Sequence, residues 1–144
     1  MAAKQEPEEN TDEIRPGDLY VAPSAVHGLG VFAGRDFKKG EVLEVCPVLR
    51  VKASEVKHLD KTSLCNHYFE WPDGGGALAM GYGSLYNHSW AATARAEHDV
   101  EEETLTYTAV RKIRKGEEIT INYTGEPNGR GDLRFDAGTP PNEG

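Results

Sequence analysis

The stretch Gly116-Glu117-Glu118-Ile119-Thr120-Ile121-Asn122-Tyr123 has the alternating pattern of a short β-strand that ends at an aromatic residue. Its apolar side chains are predicted to face the core, and the chain after Tyr123 is rich in Gly, Pro and Asn and is predicted to be irregular. A tyrosine at such a strand end is, taken alone, most often a packed aromatic residue with a satisfied hydroxyl. Two more segments of the sequence have to be combined with this strand before it indicates a fold or a function.

The first of them is Gly81-Tyr82-Gly83-Ser84-Leu85-Tyr86-Asn87-His88-Ser89, in which polar Asn-His-Ser directly follows two apolar residues. These polar groups need hydrogen-bond partners in a partly buried setting, and a lone histidine there is more often structural than functional. The second is His27-Gly28-Leu29-Gly30-Val31-Phe32-Ala33, whose two glycines let the backbone come close to a ligand. It lacks the third glycine and the following helix of a dinucleotide-binding fingerprint.

In this order, the three segments resemble the SET domain of protein-lysine methyltransferases, over residues 20–125. The resemblance implies a mainly β (α+β) fold of small curved sheets with a C-terminal pseudoknot. In that knot the Asn-His-Ser segment and the Tyr123 strand would be threaded together. It also implies a protein-lysine N-methyltransferase, with S-adenosylmethionine as methyl donor and a lysine ε-amine of a protein as acceptor.

The resemblance also carries roles onto particular residues. The cofactor-binding residues would be His27, Gly28, Leu29, Gly30, Asn87 and His88. The glycine segment would contact the methionine part of the cofactor through its backbone, and the Asn-His pair would bind its amino end and adenine. Tyr123 would be the catalytic tyrosine. Three further tyrosines, Tyr82, Tyr86 and Tyr107, are candidate walls of the lysine channel.

Such chemistry requires no metal. A methyl group on a sulfonium is already activated, so the enzyme mainly has to align donor, methyl and amine. The attacking lysine must be neutral although its ordinary pKa is about 10.4. Desolvation in an aromatic channel beside a cationic cofactor favours loss of that proton. The Tyr123 hydroxyl would orient the amine and stabilise positive charge at the methyl group.

Three departures from the family pattern are visible. Ala92-Thr93 stand where a Pro-Asn pair usually follows Asn-His-Ser, which is predicted to loosen the cofactor end or the pseudoknot. Ser84 takes the place of a common arginine. No C-terminal cysteine cluster is present to bind zinc and close the lysine channel, so Phe135 or a second subunit would have to close it.

The 144 residues suffice for one domain, predicted at residues 16–125 between an acidic disordered tail, 1–15, and an irregular segment, 126–144.

Within this domain, Pro47 interrupts a β-rich run at 42–51 and predicts an edge strand or a bulge. Leu105, Tyr107 and Ala109 alternate with threonines as in a half-buried strand. Residues 54–61 favour a short helix capped by Ser54. Residues 35–42 resemble residues 111–118, which predicts two similar turns.

The net charge of the chain limits the classes of molecule that it is expected to bind. Sixteen Lys and Arg against 24 Asp and Glu give a net charge of -8, which argues against direct nucleic-acid binding and favours a basic, histone or histone-like protein substrate. Glu97, Asp99 and Glu101 to Glu103 would attract a basic substrate if they formed a rim of the site, although a solvated acidic loop is the commoner explanation. No apolar stretch is long enough to span a membrane. The presence of two cysteines is typical of an intracellular protein, which is expected in the cytoplasm by default, with the nucleus left open. A chain this short is also able to use a homodimer to complete its site.

Two other classes of function stay open at this stage. A SET-like module that binds a peptide or cofactor without turnover is favoured by the changes at 84 and 92–93, whereas Tyr123 favours the enzyme. A purely structural acidic protein would bind no cofactor. Cys65, His67 and His58 lack the spacing of a zinc site, so a metalloenzyme is disfavoured.

Overall fold

The structure, a computed structural model, describes residues 17–124. In chain order the strands of this part are β1 (Leu19–Pro23), β2 (Leu29–Ala33), β3 (Val42–Val51), β4 (Phe69–Glu70), β5 (Gly76–Ala79), β6 (Asn87–His88), β7 (Ala94–Asp99), β8 (Thr104–Ala109) and β9 (Glu118–Ile121). They form a four-stranded sheet of order β1-β2-β9-β6 and a five-stranded sheet of order β4-β5-β3-β8-β7. The predicted acidic tail, residues 1–15, and the predicted irregular segment, residues 126–144, lie outside the described residues.

Strand β3 is the centre of the five-stranded sheet, so the edge position predicted from Pro47 is wrong. The ladder with β8 ends at the pair Pro47 and Thr104, and the ladder with β5 begins one residue later, at Val48 and Ala79. Pro47 therefore stands where pairing passes from one neighbour to the other, a position that tolerates its missing N–H. The bulge in β3 lies elsewhere, between Val42 and Glu44.

The alternation predicted for β8 is confirmed, because Leu105, Tyr107 and Ala109 are buried and the threonines between them are half-buried. Strand β9 buries Ile119 and Ile121, and the Thr120 between them is buried as well. The apolar side chains among these join buried residues of both sheets in one continuous hydrophobic core, which holds the two sheets together.

The two similar turns pair with each other. Phe37 and Ile113 exchange backbone hydrogen bonds of 2.7 and 2.9 Å. Gly40 and Gly116 occupy equivalent positions with φ of 90° and 88°, a region that favours glycine. One turn leads from β2 to β3 and the other from β8 to β9, so the pair forms the junction between the two sheets.

The short helical segment predicted at 54–61 consists of a 3-10 turn, Ala53–Glu55, followed by helix α1, Val56–Leu59. Ser54 is not its cap, since neither start has a side-chain cap hydrogen bond. Val56 and Leu59 are half-buried. Within residues 17–124 no helix is long and apolar enough to cross a membrane.

Thr93, the residue directly before β7, is connected to β9 by hydrogen bonds. Its hydroxyl accepts a hydrogen bond of 3.0 Å from the Thr120 N–H, and its own N–H donates to the Thr120 carbonyl over 3.1 Å. Its carbonyl accepts from the Val110 N–H over 2.9 Å. The threonine hydroxyl therefore satisfies a buried backbone N–H, and the loosening expected from the Ala92-Thr93 pair stays a prediction.

Replacing Thr93 by valine keeps the side-chain shape and removes the acceptor of the buried Thr120 N–H. We expect the free energy of unfolding to fall by about 1–3 kcal/mol, the cost of an unsatisfied buried donor. Urea unfolding followed by circular dichroism measures it. Thr93→Ser keeps the hydroxyl and is expected to lose clearly less, so equal losses in the two variants would contradict this explanation.

Candidate active site

The glycine segment approaches the Asn-His segment through Gly30. A Cβ atom added at Gly30 would lie 2.4 Å from Glu118 Oε2 and 3.0 Å from Asn87 Nδ2. No side chain fits there without displacing one of these groups. Gly28, with φ of +49°, makes the bend that precedes this close approach. Gly28 is therefore needed for the turn, whereas Gly30 is needed because a side chain at that position would meet Glu118 and Asn87.

Asn87 lies at the centre of the contact between the segments. Its Nδ2 lies 3.0 Å from the His27 carbonyl oxygen, 3.0 Å from the Leu29 carbonyl oxygen and 2.9 Å from Glu118 Oε2. Pairing of β6 with β9 places Asn87 opposite Thr120 and so brings it to this position. With its nitrogen directed at these protein acceptors, the side chain has its Oδ1 available to accept a hydrogen bond from a ligand.

Glu118 and Ser24 are site residues that the sequence analysis missed. Ser24 Oγ donates to Glu118 Oε1 over 2.5 Å and accepts from the Val26 N–H over 2.9 Å. The Ser24 N–H donates to the Gly28 carbonyl over 2.8 Å, which closes the turn that leads into the glycine bend. The only signal in the sequence was a carboxylate at a strand position that faces the glycine segment.

His88 connects the Asn-His segment to Tyr123. Its Nδ1 accepts a hydrogen bond of 3.0 Å from the Tyr123 N–H, and the two rings are 5.3 Å apart. The His88 ring also meets Trp90 edge to face at 4.4 Å. Burial lowers the pKa of His88 below its usual value, which favours the neutral ring that this acceptor role requires.

The Tyr123 hydroxyl donates to the Tyr86 carbonyl oxygen. Burial, followed by the charge of Glu118, raises the pKa of Tyr123 to about 12. The phenol is therefore protonated at physiological pH and acts there as a hydrogen-bonding dipole. The glycine bend, the Asn-His pair and Tyr123 are all brought together by direct contacts.

Two of the three tyrosines predicted to line a lysine channel are core residues instead. Tyr86 and Tyr107 are 1% and 0% exposed, and their rings stack at 4.5 Å. The Tyr86 hydroxyl donates to Glu44 Oε1 over 2.8 Å, and the Tyr107 hydroxyl donates to the Gly83 carbonyl over 2.8 Å. Buried rings with engaged hydroxyls do not face an open channel. Half-buried Tyr82 stays a candidate for its wall.

Glu44 anchors the turn before the Asn-His segment. Its Oε2 accepts from the Tyr82 N–H over 3.0 Å, and a Cβ atom at Gly81 would lie 2.5 Å from that oxygen. Burial raises the pKa of the adjacent Cys46 thiol, with a further contribution from Glu44, so this cysteine is an inert core residue. No pattern in the sequence marks Glu44 for this role.

The remaining candidates lie apart from this cluster. Ser84, where an arginine was expected, donates to the Ala79 carbonyl over 2.9 Å and so serves a local turn. The acidic hairpin at 99–103 lies at the far end of β7 from Thr93, about 20 Å along the strand at about 3.3 Å per residue. The role of these acidic residues, together with Glu97, as a rim of the site stays a prediction. In the described part of the chain, no three His, Cys, Asp or Glu side chains are close enough to hold a metal ion.

Residues 28–124 match the family model of the SET domain. The chain belongs to the SET domain family. The histone-lysine N-methyltransferase of Schizosaccharomyces pombe that is specific for H3 lysine-37 is 30% identical over 106 residues, which are 73% of this chain and 72% of that protein. A candidate histone methyltransferase of Plasmodium falciparum has a crystal structure with a TM-score of 0.63 and 31% identity, over 74% of this chain and 92% of the other.

A likeness in fold alone extends to Polycomb Repressive Complex 2 of Chaetomium thermophilum in an autoinhibited conformation bound to S-adenosylmethionine. The TM-score is 0.63 at 19% identity, over 74% of this chain and 15% of the other. The predicted SET family and mainly β SET-type fold are confirmed. So is the predicted activity of the family, S-adenosylmethionine-dependent methyl transfer to a protein lysine. The roles of individual residues stay predictions.

The residues present fit this cofactor. Its methionine part carries an ammonium group, and the site offers oxygen acceptors at Asn87 Oδ1 and at the His27 and Leu29 carbonyls. Gly30 leaves the backbone open at the same place.

Gly30→Ala tests this space requirement. The new methyl group would push Glu118 and Asn87 aside, so we expect the affinity for S-adenosylhomocysteine, the demethylated product, to fall at least about tenfold, as measured by calorimetry. Gly40→Asn, at an open turn outside the site, is the control and is expected to bind normally. Normal binding by Gly30→Ala would contradict the proposed location.

The pH dependence of stability tests the role of His88. Because its folded pKa is lowered, its contribution to stability is complete above 6.5, the ordinary value, and is lost as the pH falls through the folded pKa. We expect the difference in unfolding free energy between the native protein and His88→Gln to shrink between about pH 7 and about pH 5. Urea unfolding at each pH measures it, and a constant difference would refute the acceptor role.

Proposed function

We propose that this SET domain methylates a lysine in a basic, histone or histone-like protein segment. We further propose that the reaction takes place where the glycine bend, Asn87, His88 and Tyr123 meet. The observation that carries the proposal is the position of the Tyr123 hydroxyl on the Tyr86 carbonyl, one residue before Asn87. The hydroxyl proposed to be catalytic is thereby bonded to the backbone directly beside the proposed cofactor contacts at Asn87 and His88.

The cofactor supplies a methyl group activated by its sulfonium. On this proposal, His27, Leu29 and Asn87 hold its amino end, with Gly28 and Gly30 providing the bend and the space. His88 binds on the adenine side through its main chain, because its ring nitrogen Nδ1 is engaged by the Tyr123 N–H.

Tyr123 positions the lysine amine and does not remove its proton. With a pKa of about 12, the phenol stays protonated around neutral pH and therefore cannot accept the proton of the lysine. The Tyr86 carbonyl fixes the hydroxyl proton, which leaves the phenol oxygen to face the amine and the methyl group. Loss of the lysine proton then results from desolvation beside a cationic cofactor.

The net charge of -8 supports a basic protein partner and argues against direct nucleic-acid contact. The curated relative from Schizosaccharomyces pombe, named for a histone lysine, is consistent with such a substrate. We also propose an intracellular enzyme, cytoplasmic by default with the nucleus left open. A homodimer that completes the lysine channel is part of the proposal, because so short a chain is able to use a second copy for this purpose.

Tyr123→Phe tests the catalytic assignment. We expect transfer of a labelled methyl group from S-adenosylmethionine to core histones to fall at least about a hundredfold, the typical effect of removing one positioned hydroxyl. Cofactor affinity by calorimetry should stay within about twofold. The control is Tyr68→Phe, which removes a buried hydroxyl bonded to Asp60, outside the site, and should keep its activity.

The same experiment separates the enzyme from a non-catalytic module. Cofactor binding by the native protein without any methyl transfer to a panel of basic proteins would favour the module. Unchanged transfer in Tyr123→Phe would refute the role given to this tyrosine.

A further inference from the structure

We propose that Glu118, held in place by Ser24, is a positioning residue that orients the Asn87 amide so that its oxygen receives the ammonium group of the cofactor. This inference rests on the proposed function, because it takes the glycine bend and Asn87 as the cofactor site. It gives a role to two residues, Glu118 in β9 and Ser24 in the turn after β1, that had none in the sequence-based predictions.

The orientation follows from the acceptors around Asn87 Nδ2. Two backbone carbonyls and one carboxylate oxygen lie within 3.0 Å of this nitrogen. If the amide turned over, its oxygen would face three other oxygen acceptors, which is strongly repulsive. The carboxylate contributes most to this preference, since hydrogen bonds to charged groups are about twice as strong as neutral ones. Glu118 therefore reinforces, together with the two carbonyls, the orientation in which the amide oxygen meets the ligand.

Glu118 is itself fixed from two sides. Ser24 Oγ donates to Oε1 over 2.5 Å, while the same Oγ accepts from the Val26 N–H and is thus tied to its own turn. The other oxygen, Oε2, occupies the space that the absent Cβ of Gly30 leaves open. The carboxylate is therefore held by a hydrogen bond at one oxygen and by close packing against Gly30 at the other.

The charge of Glu118 acts in the same direction as its geometry. A half-buried carboxylate beside the glycine bend favours a cationic group there, and the ammonium of the cofactor is such a group. Burial raises the pKa of Tyr123, and the charge of Glu118 contributes to the same shift. The carboxylate therefore aids the cofactor both directly and through Asn87.

The test compares two ligands that differ only in the amino group, S-adenosylhomocysteine and its desamino analogue. Calorimetry gives the dissociation constant of each for the native protein, Glu118→Gln and Ser24→Ala. We expect Glu118→Gln to weaken S-adenosylhomocysteine about tenfold and the desamino analogue by less than about twofold. Ser24→Ala should show a smaller loss, about threefold, again for the amino-bearing ligand alone.

Glu117→Gln is the matched control. It removes the same charge one residue earlier, where the carboxylate accepts from the Arg114 N–H, and should leave both affinities unchanged. Circular dichroism and the melting temperature check the folding of each variant, and Ser24→Ala carries the test if Glu118→Gln does not fold.

Equal losses for the two ligands, or no loss, would overturn the inference and leave the cofactor site in place. Failure of the native protein to bind S-adenosylhomocysteine would overturn the proposed site and the inference together.

Discussion

The pairing of β6 with β9 is the interaction on which the rest of the site depends. It is only two residues long, Asn87 with Thr120 and His88 with Ile121, yet it joins segments more than thirty residues apart. Ser89 extends it by a backbone bond to Ile121, and Thr93 holds β9 through Thr120. Because β2 also pairs with β9, the same strand brings the glycine bend against Asn87. Without this short ladder, the three motifs would not share a site.

The buried polar groups around this ladder are held in neutral forms. Burial disfavours the charged states of both His88 and Tyr123, and each is engaged in a hydrogen bond that the neutral form can make. Such a site is suited to aligning reactants and excluding water, as methyl transfer from an activated donor requires. Glu118, tied to Ser24 and Asn87, carries the charge in this arrangement.

The errors of the sequence analysis have a common origin. The spacing of aromatic residues does not reveal which side of a segment faces the core, so Tyr86 and Tyr107 were expected in a channel and are found stacked in the core. Pro47 was expected at an edge because a proline lacks a donor, yet it sits where two ladders of a central strand meet. The contact of the Thr93 hydroxyl with the Thr120 N–H was not predicted either. Each outcome depends on a neighbour distant in the chain.

The amino-acid sequence by itself determined the family, the β-rich character and the positions of the three motifs, because local patterns of glycine, alternating apolar residues and Asn-His-Ser act over a few neighbouring residues. Only the tertiary structure decided that Glu118 and Ser24 belong to the site, that Glu44 supports the turn at Tyr82, and that Thr93 secures β9. These are single polar side chains whose partners lie 27 to 94 residues away. No local pattern encodes such contacts, since they arise only when folding brings distant backbone and side-chain groups within hydrogen-bond distance.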